Sequence, residues 1–322
     1  MSNSPIVQGL NGPVLLSSCT VETCPMDYAQ LDYIPSLGVN ATYIAVFVIF
    51  LVVQAVQGFR YKTWGYTTGM ILGLMTEILG YGGRLGLYNN VFSFDWFVMY
   101  LVCLTIGPAF MSASIYLCLS RIVVAYGEDI APFRPSTYTI TFICCDIVSL
   151  VLQSAGGAIA STANDKKGSD VGVDVMIVGL AFQVISLTLY MIVAGDFLRR
   201  VRKASVSQLN ASFQDVRDSK SFKWLIIGLA IATLFIFIRC VYRVAELSEG
   251  FSSELANDEV AFNILEGPMI IIAVIALTVV HPGKCFAGYW SDANWTWRQK
   301  KQPDMSYAKD SSSSVEMVNR RV

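Results

Sequence analysis

The chain has 322 residues, 54% of them hydrophobic and 15% charged, with a formal net charge of −1 and a mean hydropathy of +0.53. Soluble domains carry about 25% charged residues, so the two soluble domains that the length alone would allow are excluded by the long apolar runs. The small net charge conceals a strong segregation of charge along the chain, and no nucleic-acid partner is expected.

Residues 1–37 contain no Lys or Arg. The basic segment that opens a signal peptide is therefore missing, and no cleaved leader is expected. The apolar stretch at 13–17 is too short to cross a bilayer, so the first long run, from Gly38, is expected to act as targeting signal and anchor. Within the tail, Cys19 and Cys24 form a candidate disulfide, since a loop with four residues between the thiols can close. Two unpaired thiols, or pairing with another molecule, stay open as alternatives. Asn40-Ala41-Thr42 fits the N-glycosylation sequon but falls at the expected membrane edge.

A bilayer core requires about 20 apolar helical residues, and runs of that size recur at about 38–58, 64–88, 96–122, 137–160, 171–195, 222–247 and 260–281. These predict an all-α integral membrane protein, a seven-helix bundle occupying residues 38–283. Lys and Arg sort the loops between them. One side holds 3 and the other 18, with Arg239 and Arg243 inside span six. The basic side is cytoplasmic by that rule, placing the N-terminus outside and the C-terminus in the cytoplasm; the expected location is the plasma membrane, with other endomembranes as the alternative. The acidic 6–7 loop carries Glu249, Glu254, Asp258 and Glu259 and reads as solvated. Residues 284–322 read as a disordered cytoplasmic tail, with Ser311–Ser314 as candidate phosphorylation positions. The tail and the basic connector between spans five and six are candidate docking sites for a cytoplasmic partner.

Ionisable groups within a bilayer are costly and usually mark function. Glu77, Tyr81 and Arg84 fall on one face of span two at offsets 0, 4 and 7, and Arg239, Arg243 and Glu246 repeat those offsets on span six, with Tyr242 beside them. Asp146 and Gln153 share a face of span four, Gln183 is midway along span five, and Glu266 precedes Pro268 in span seven. The expected orientation puts most of these in the outer half, with Asp146 and Gln183 deeper. They predict a polar cavity opening outward. Arg84 and Glu246, near the interface, are expected to serve structure and to reach for water. The glycines of span two, led by Gly65, Gly69 and Gly73, are expected to bring helices close, and Pro108 is expected to kink span three.

Several seven-span chemistries are excluded. Residues 260–281 contain no Lys for a retinal Schiff base, and a lone histidine, His281, cannot supply the ligands of a haem or zinc centre. There is no phosphate-binding Gly-x-x-x-x-Gly-Lys loop and no nucleophile–base constellation. Neither an enzyme nor a bound cofactor or metal is expected.

Read in order, these residues resemble the fungal RTA-like, or lipid-translocating exporter, family. The resemblance rests on Tyr33-Ile-Pro-Ser36, on Glu77-x-x-Gly-Tyr-x-x-Arg84, and on Asp146 with Gln153, Gly156 and Gly157. It continues through Gly179-Leu180 with Gln183, Arg239-Cys-Val-Tyr-Arg243-Val-Ala-Glu246, Gly250, Glu259 and His281-Pro282, covering about residues 33–283. Two departures are visible: Ile106-Gly107-Pro108 replaces the family's usual Leu-Ala-Pro, and Phe262 stands where Tyr is common. Neither is expected to disturb the charged set. The resemblance implies export of amphiphiles such as sphingoid long-chain bases, with porphyrin, haem and drug efflux as other activities of the family. Glu77 and Glu266 would then hold an ammonium, or the Arg pair a phosphate or carboxylate. The rival reading is a seven-helix receptor or regulator of lipid asymmetry, which would move no lipid itself. Against it, Leu119-Ser-Arg121-Ile lacks the acidic-Arg-aromatic triplet of common receptors.

Overall fold

The computed structural model describes residues 6–10, 12–15, 18–29, 31–132, 134–162, 166–205, 208–248 and 258–293. Glu249, Gly250 and Glu254 of the 6–7 loop and the C-terminal serines lie outside the described residues.

The helices are α1 (Leu37–Tyr61), α2 (Trp64–Asn89), α3 (Phe94–Tyr126), α4 (Pro135–Thr162), α5 (Lys166–Lys203), the short α6 (Gln214–Asp218), α7 (Lys220–Ser248), α8 (Glu259–Leu265), α9 (Gly267–Val279) and the single turn α10 (Pro282–Cys285). Among the described residues, six stretches are long and apolar enough to cross a bilayer: Leu37–Tyr61, Phe94–Tyr126, Pro135–Ala160, Asp170–Lys203, Lys220–Ser248 and Glu259–Cys285. The 26-residue α2 is long enough but less apolar, because glycines and the charged Glu77 and Arg84 dilute it. It packs between α1 and α3 and buries a continuous face, whereas α1 buries only Asn40, Phe47, Gln54 and Gly58. Exposed Ile49, Val52, Val56, Ile147, Val151 and Ile192 form an apolar outer surface suited to lipid.

The most extensive packing joins α2 to α3 and α4 to α5. A Cβ on Gly83 would lie 2.8 Å from the Tyr100 backbone nitrogen, so glycine sets the α2–α3 separation. Gly83→Leu should force these helices apart and cost roughly 1–3 kcal/mol, read as a lower unfolding temperature in detergent. An unchanged temperature would show that the contact is not close in the folded protein.

In the N-terminal segment, Ile6–Gly9 (β1) and Gly12–Leu15 (β2) form an antiparallel hairpin pairing Ile6 with Leu15, and the candidate pair Cys19 and Cys24 is joined as a disulfide. Two features depart from the sequence expectations. Span seven is not one helix. It breaks at Glu266 (φ −96°, ψ −72°) between α8 and α9, because Pro268 lacks the N–H that would continue the ladder. The residues after Pro282 stay folded as far as 293, burying Phe286, Trp290 and Ala293, so the first part of the expected disordered tail is packed structure. Arg121 closes that contact, donating to the Trp290 carbonyl and lying 3.9 Å over its ring.

At the same end of the bundle, the connector after α5 caps α3. A helix C-terminus leaves carbonyls without partners, and here Asn210 donates to Val124 (3.2 Å) and Arg217 to Ala125 (2.9 Å), while the Asn210 N–H binds Tyr126 (2.9 Å). His281 caps α10, its Nδ1 accepting from the Gly283 N–H at 3.2 Å.

Candidate functional site

Three elements bring charge to one place at the same spacing. Glu77 and Arg84 on α2, Arg239 and Glu246 on α7, and Glu259 and Glu266 across α8 are each seven residues apart, about 10 Å along a helix. The result is a two-layered cluster at the end of the bundle that carries the N-terminal segment.

In the deeper layer, Arg239 donates to Glu266 at 2.6 Å and lies 3.9 Å from Glu77. It also donates to the Leu104 carbonyl. That carbonyl is free for a local reason: residue 108 is proline and cannot donate back to position 104. The guanidinium thus replaces a missing backbone donor while neutralising two carboxylates. The Glu77 carboxylate has its own local requirement, for a Cβ on Gly107 would lie 2.6 Å from Glu77 Oε1. On the facing side, Tyr43 donates to the Asn263 carbonyl at 2.6 Å and packs its ring on Gly267, which satisfies the backbone at the span-seven break.

In the outer layer, Arg243 donates to Glu246 at 2.6 Å. Arg84 has no carboxylate within salt-bridge distance among the described residues; its Nε donates to Asn40 Oδ1 (3.1 Å) and its Nη2 to the Tyr33 hydroxyl (3.0 Å). Its guanidinium lies 3.8 Å over Phe262 and 5.5 Å from the Tyr100 centroid. Burial raises the Tyr33 hydroxyl above the ordinary tyrosine range, against the opposing pull of Arg84, so it meets the guanidinium protonated. Asn40 in turn donates to the Ser36 carbonyl at 2.6 Å, and the Ser36 N–H donates to Glu259 at 2.7 Å.

Three expectations change on this geometry, and a fourth, that Asn40 is badly placed for a glycan, gains support. Arg84 and Glu246 do not reach for water; they are 0% and 3% exposed. Asn40 is fully buried with its side chain committed to Ser36 and Arg84, which leaves nothing for a glycan. The two departures from the family pattern both touch the charged set, Gly107 at Glu77 and Phe262 at Arg84. Finally, the groups do not line an open cavity. Glu77, Glu266, Arg239 and Arg243 are 0–2% exposed and close on one another. Its buried members are three arginines and three glutamates, with Glu259 half-buried at the edge, so the buried set carries no net charge when all are ionised, as low-dielectric burial demands.

Tyr81 and Tyr242 are buried beside the cluster, and neither hydroxyl finds a hydrogen-bond partner; the Tyr81 ring packs on Tyr43 and Phe47. Gln153 and Gln183 lie apart from it. Gln153 donates to Gln183 (3.0 Å) and to Ser149 (2.7 Å), whose hydroxyl donates to the Gly179 carbonyl (2.8 Å), a seam that ties α4 to α5. Asp146 belongs to neither group. Sequence reasoning missed Asn40 as a partner, and with it Tyr43, Tyr100 and the Leu104 carbonyl. The signal for the last was Pro108, which announces an unpaired carbonyl four residues earlier.

Comparison with known proteins identifies the family. The profile of the family described as RTA1 like protein matches residues 70–289. The chain is 34% identical over 282 residues to the sphingoid long-chain base transporter of Saccharomyces cerevisiae, covering 79% of this chain and 74% of that one. It is 26% identical over 279 residues to the lipid-translocating exporter-like protein of Leptosphaeria maculans, covering 80% of this chain and 51% of the relative. No solved structure matches it. With its charged signature on α2 and α7 inside the matched region, the chain belongs to the RTA1-like family.

Proposed function

We propose that this protein is a membrane lipid exporter that moves sphingoid long-chain bases, or amphiphiles like them, toward the outer leaflet of a fungal plasma membrane. Relatives named for that transport support the substrate class. The observation within this chain that carries the reading is the Glu77 carboxylate. It is completely buried, accepts no hydrogen bond, and lies 3.9 Å from an arginine already bound to Glu266, beside a broken helix. Interrupted membrane helices with charged groups at the break are the usual construction of a transport pathway. A primary ammonium is the partner that this carboxylate lacks. We read the closed cluster as the outward gate in its shut state, the predicted polar cavity being what forms when α8 and α9 move at Glu266.

On this reading α2 is a seventh crossing, its polar face covered by α1, α3 and α7, and the Lys/Arg imbalance sets the N-terminus outside. The work is binding and passage, with no bond made or broken. The receptor alternative loses ground on two details. Arg121, at its diagnostic position on α3, is bound to Trp290, and the inner part of the basic connector is occupied in capping α3.

The test is flux in liposomes containing only the purified protein, with labelled sphingoid base on one leaflet. Wild-type protein should move it well above empty liposomes, and Glu77→Gln, nearly isosteric, should lose at least about 90% of that excess, the effect of roughly 1.4 kcal/mol. No movement by folded wild-type protein would overturn the exporter reading.

A further inference from the structure

A second place in the bundle is built for an amphiphile, at the end opposite the charged cluster. Between α3, α5 and α7 lies a cleft of about 310 Å³, walled by Leu119 and Ile122, by Tyr190 and Leu198, and by Leu229 and Thr233. That is the lower end of the size range of ligand sites. Its walls are almost wholly apolar, and it opens sideways between α5 and α7, where Leu234 is 49% exposed on the outer apolar surface. Gly195 on α5 faces it with open space where a side chain would be.

The cleft does not end in more hydrocarbon. Tyr190 packs at a tilt against Tyr116 with centroids 4.6 Å apart, and Phe142 packs on both rings at 5.5 and 5.4 Å. One helical turn beyond Phe142 on α4 is Asp146, 4% exposed. Tyr116 on α3 and Cys240 on α7 are its neighbours, so the helices that wall the cleft also enclose the carboxylate. Four carboxylates are buried among the described residues. Glu77, Glu246 and Glu266 each have an arginine within 4 Å, and Asp146 has none; the Tyr116 hydroxyl is the polar group beside it, and it is neutral. A buried carboxylate left alone is costly, and the arginines that could compensate it are engaged elsewhere. Its missing partner is a cation that arrives from outside the protein.

We propose that the α3/α5/α7 cleft and Asp146 together form a loading site for a long-chain primary amine, the alkyl chain lying in the cleft and the ammonium passing the Tyr116–Tyr190–Phe142 group to pair with Asp146. This rests on the exporter reading and deepens it, for it separates where the substrate enters from Glu77, where it leaves. The lateral opening gives a chain access from the lipid. The aromatic group between cleft and carboxylate offers ring faces that attract a cation on its way in.

The experiment is equilibrium binding of labelled sphinganine to the purified full chain in nanodiscs, with octadecylamine and octadecanol as competitors. Octadecylamine should compete at least about tenfold better than octadecanol. Asp146→Asn should abolish that preference, whereas Gly195→Leu, which fills the cleft, should weaken both competitors by about tenfold. An amine preference that survives in Asp146→Asn would overturn the headgroup assignment, and unchanged binding by Gly195→Leu would overturn the position of the chain. Should Asp146→Asn not fold, equal competition by amine and alcohol on the wild type overturns the proposal just as directly. Liposome flux keeps the two readings distinct. Flux with wild-type-like binding in both variants sinks the loading site alone, and selective binding without flux sinks the exporter alone.

Discussion

Arg239→Met is expected to be among the most damaging single substitutions in this protein, costing roughly 3–5 kcal/mol. Methionine fills much of the volume, so the loss is electrostatic. Glu266 loses a partner at 2.6 Å, Glu77 loses the only guanidinium within 4 Å, and the Leu104 carbonyl loses the donor that Pro108 cannot provide. All of these groups are buried, and water cannot take the arginine's place. The expected result is a large fall in the yield of monodisperse protein and a clearly lower unfolding temperature in detergent. The double variant Arg239→Met with Glu266→Gln should recover a substantial part of the loss, because it removes one of the stranded charges together with its partner. Equal damage in the single and double variants would mean that the arginine acts through shape, not through the ion pair.

Arg84→Ala should cost about as much, by a different route. Arg84 is buried among neutral groups: an amide, a phenol and two further aromatic rings. It joins the N-terminal segment, α1, α2 and α8 at one point. Each hydrogen bond from a charged donor contributes roughly 1.5–3 kcal/mol, and a desolvated cation–π contact about 2 kcal/mol. Arg84→Lys distinguishes planar recognition from charge. An ammonium cannot lie flat on Phe262 while reaching Asn40 and Tyr33, so the lysine variant should retain under half of the stabilisation. Both are read by thermal unfolding, and by protease access to the segment before Tyr33, which should rise as its anchor is lost. Wild-type stability in the lysine variant would show that charge alone holds this junction.

Much of the bundle was legible in the sequence because a bilayer imposes a length and a polarity on every crossing. Six of the seven predicted spans meet both demands as helices, and α2 fails the second for reasons visible in its own residues, Glu77, Arg84 and its glycines. The charged faces of α2 and α7 were legible too, since residues seven apart return to one side of a helix. What could not be read was pairing. Arg239 meets a carbonyl 135 residues away and a carboxylate 27 residues away, and periodicity along one helix says nothing of which neighbour it faces. The same blindness made Arg84 look like an interface residue, for its depth depends on the Tyr33 segment folding back over it. It made Asp146 and Gln183 look like a pair, although Gln183 binds Gln153 and Asp146 lies beside Tyr116 with no basic side chain within 4 Å among the described residues.

The sequence by itself determined that this chain lives in a membrane, where its apolar helices run, which family its motif resembles and which residues are too polar to be there without a reason. Those properties follow from local composition and from helical period, which a linear string contains. Only the tertiary structure decided that six buried charges of the cluster cancel one another in a closed site, that a proline-freed carbonyl helps to hold Arg239, and that Asp146 is buried with no arginine or lysine within 4 Å among the described residues. Compensation of buried charge depends on distances of a few ångströms between separate helices, and those distances exist only once the helices have packed.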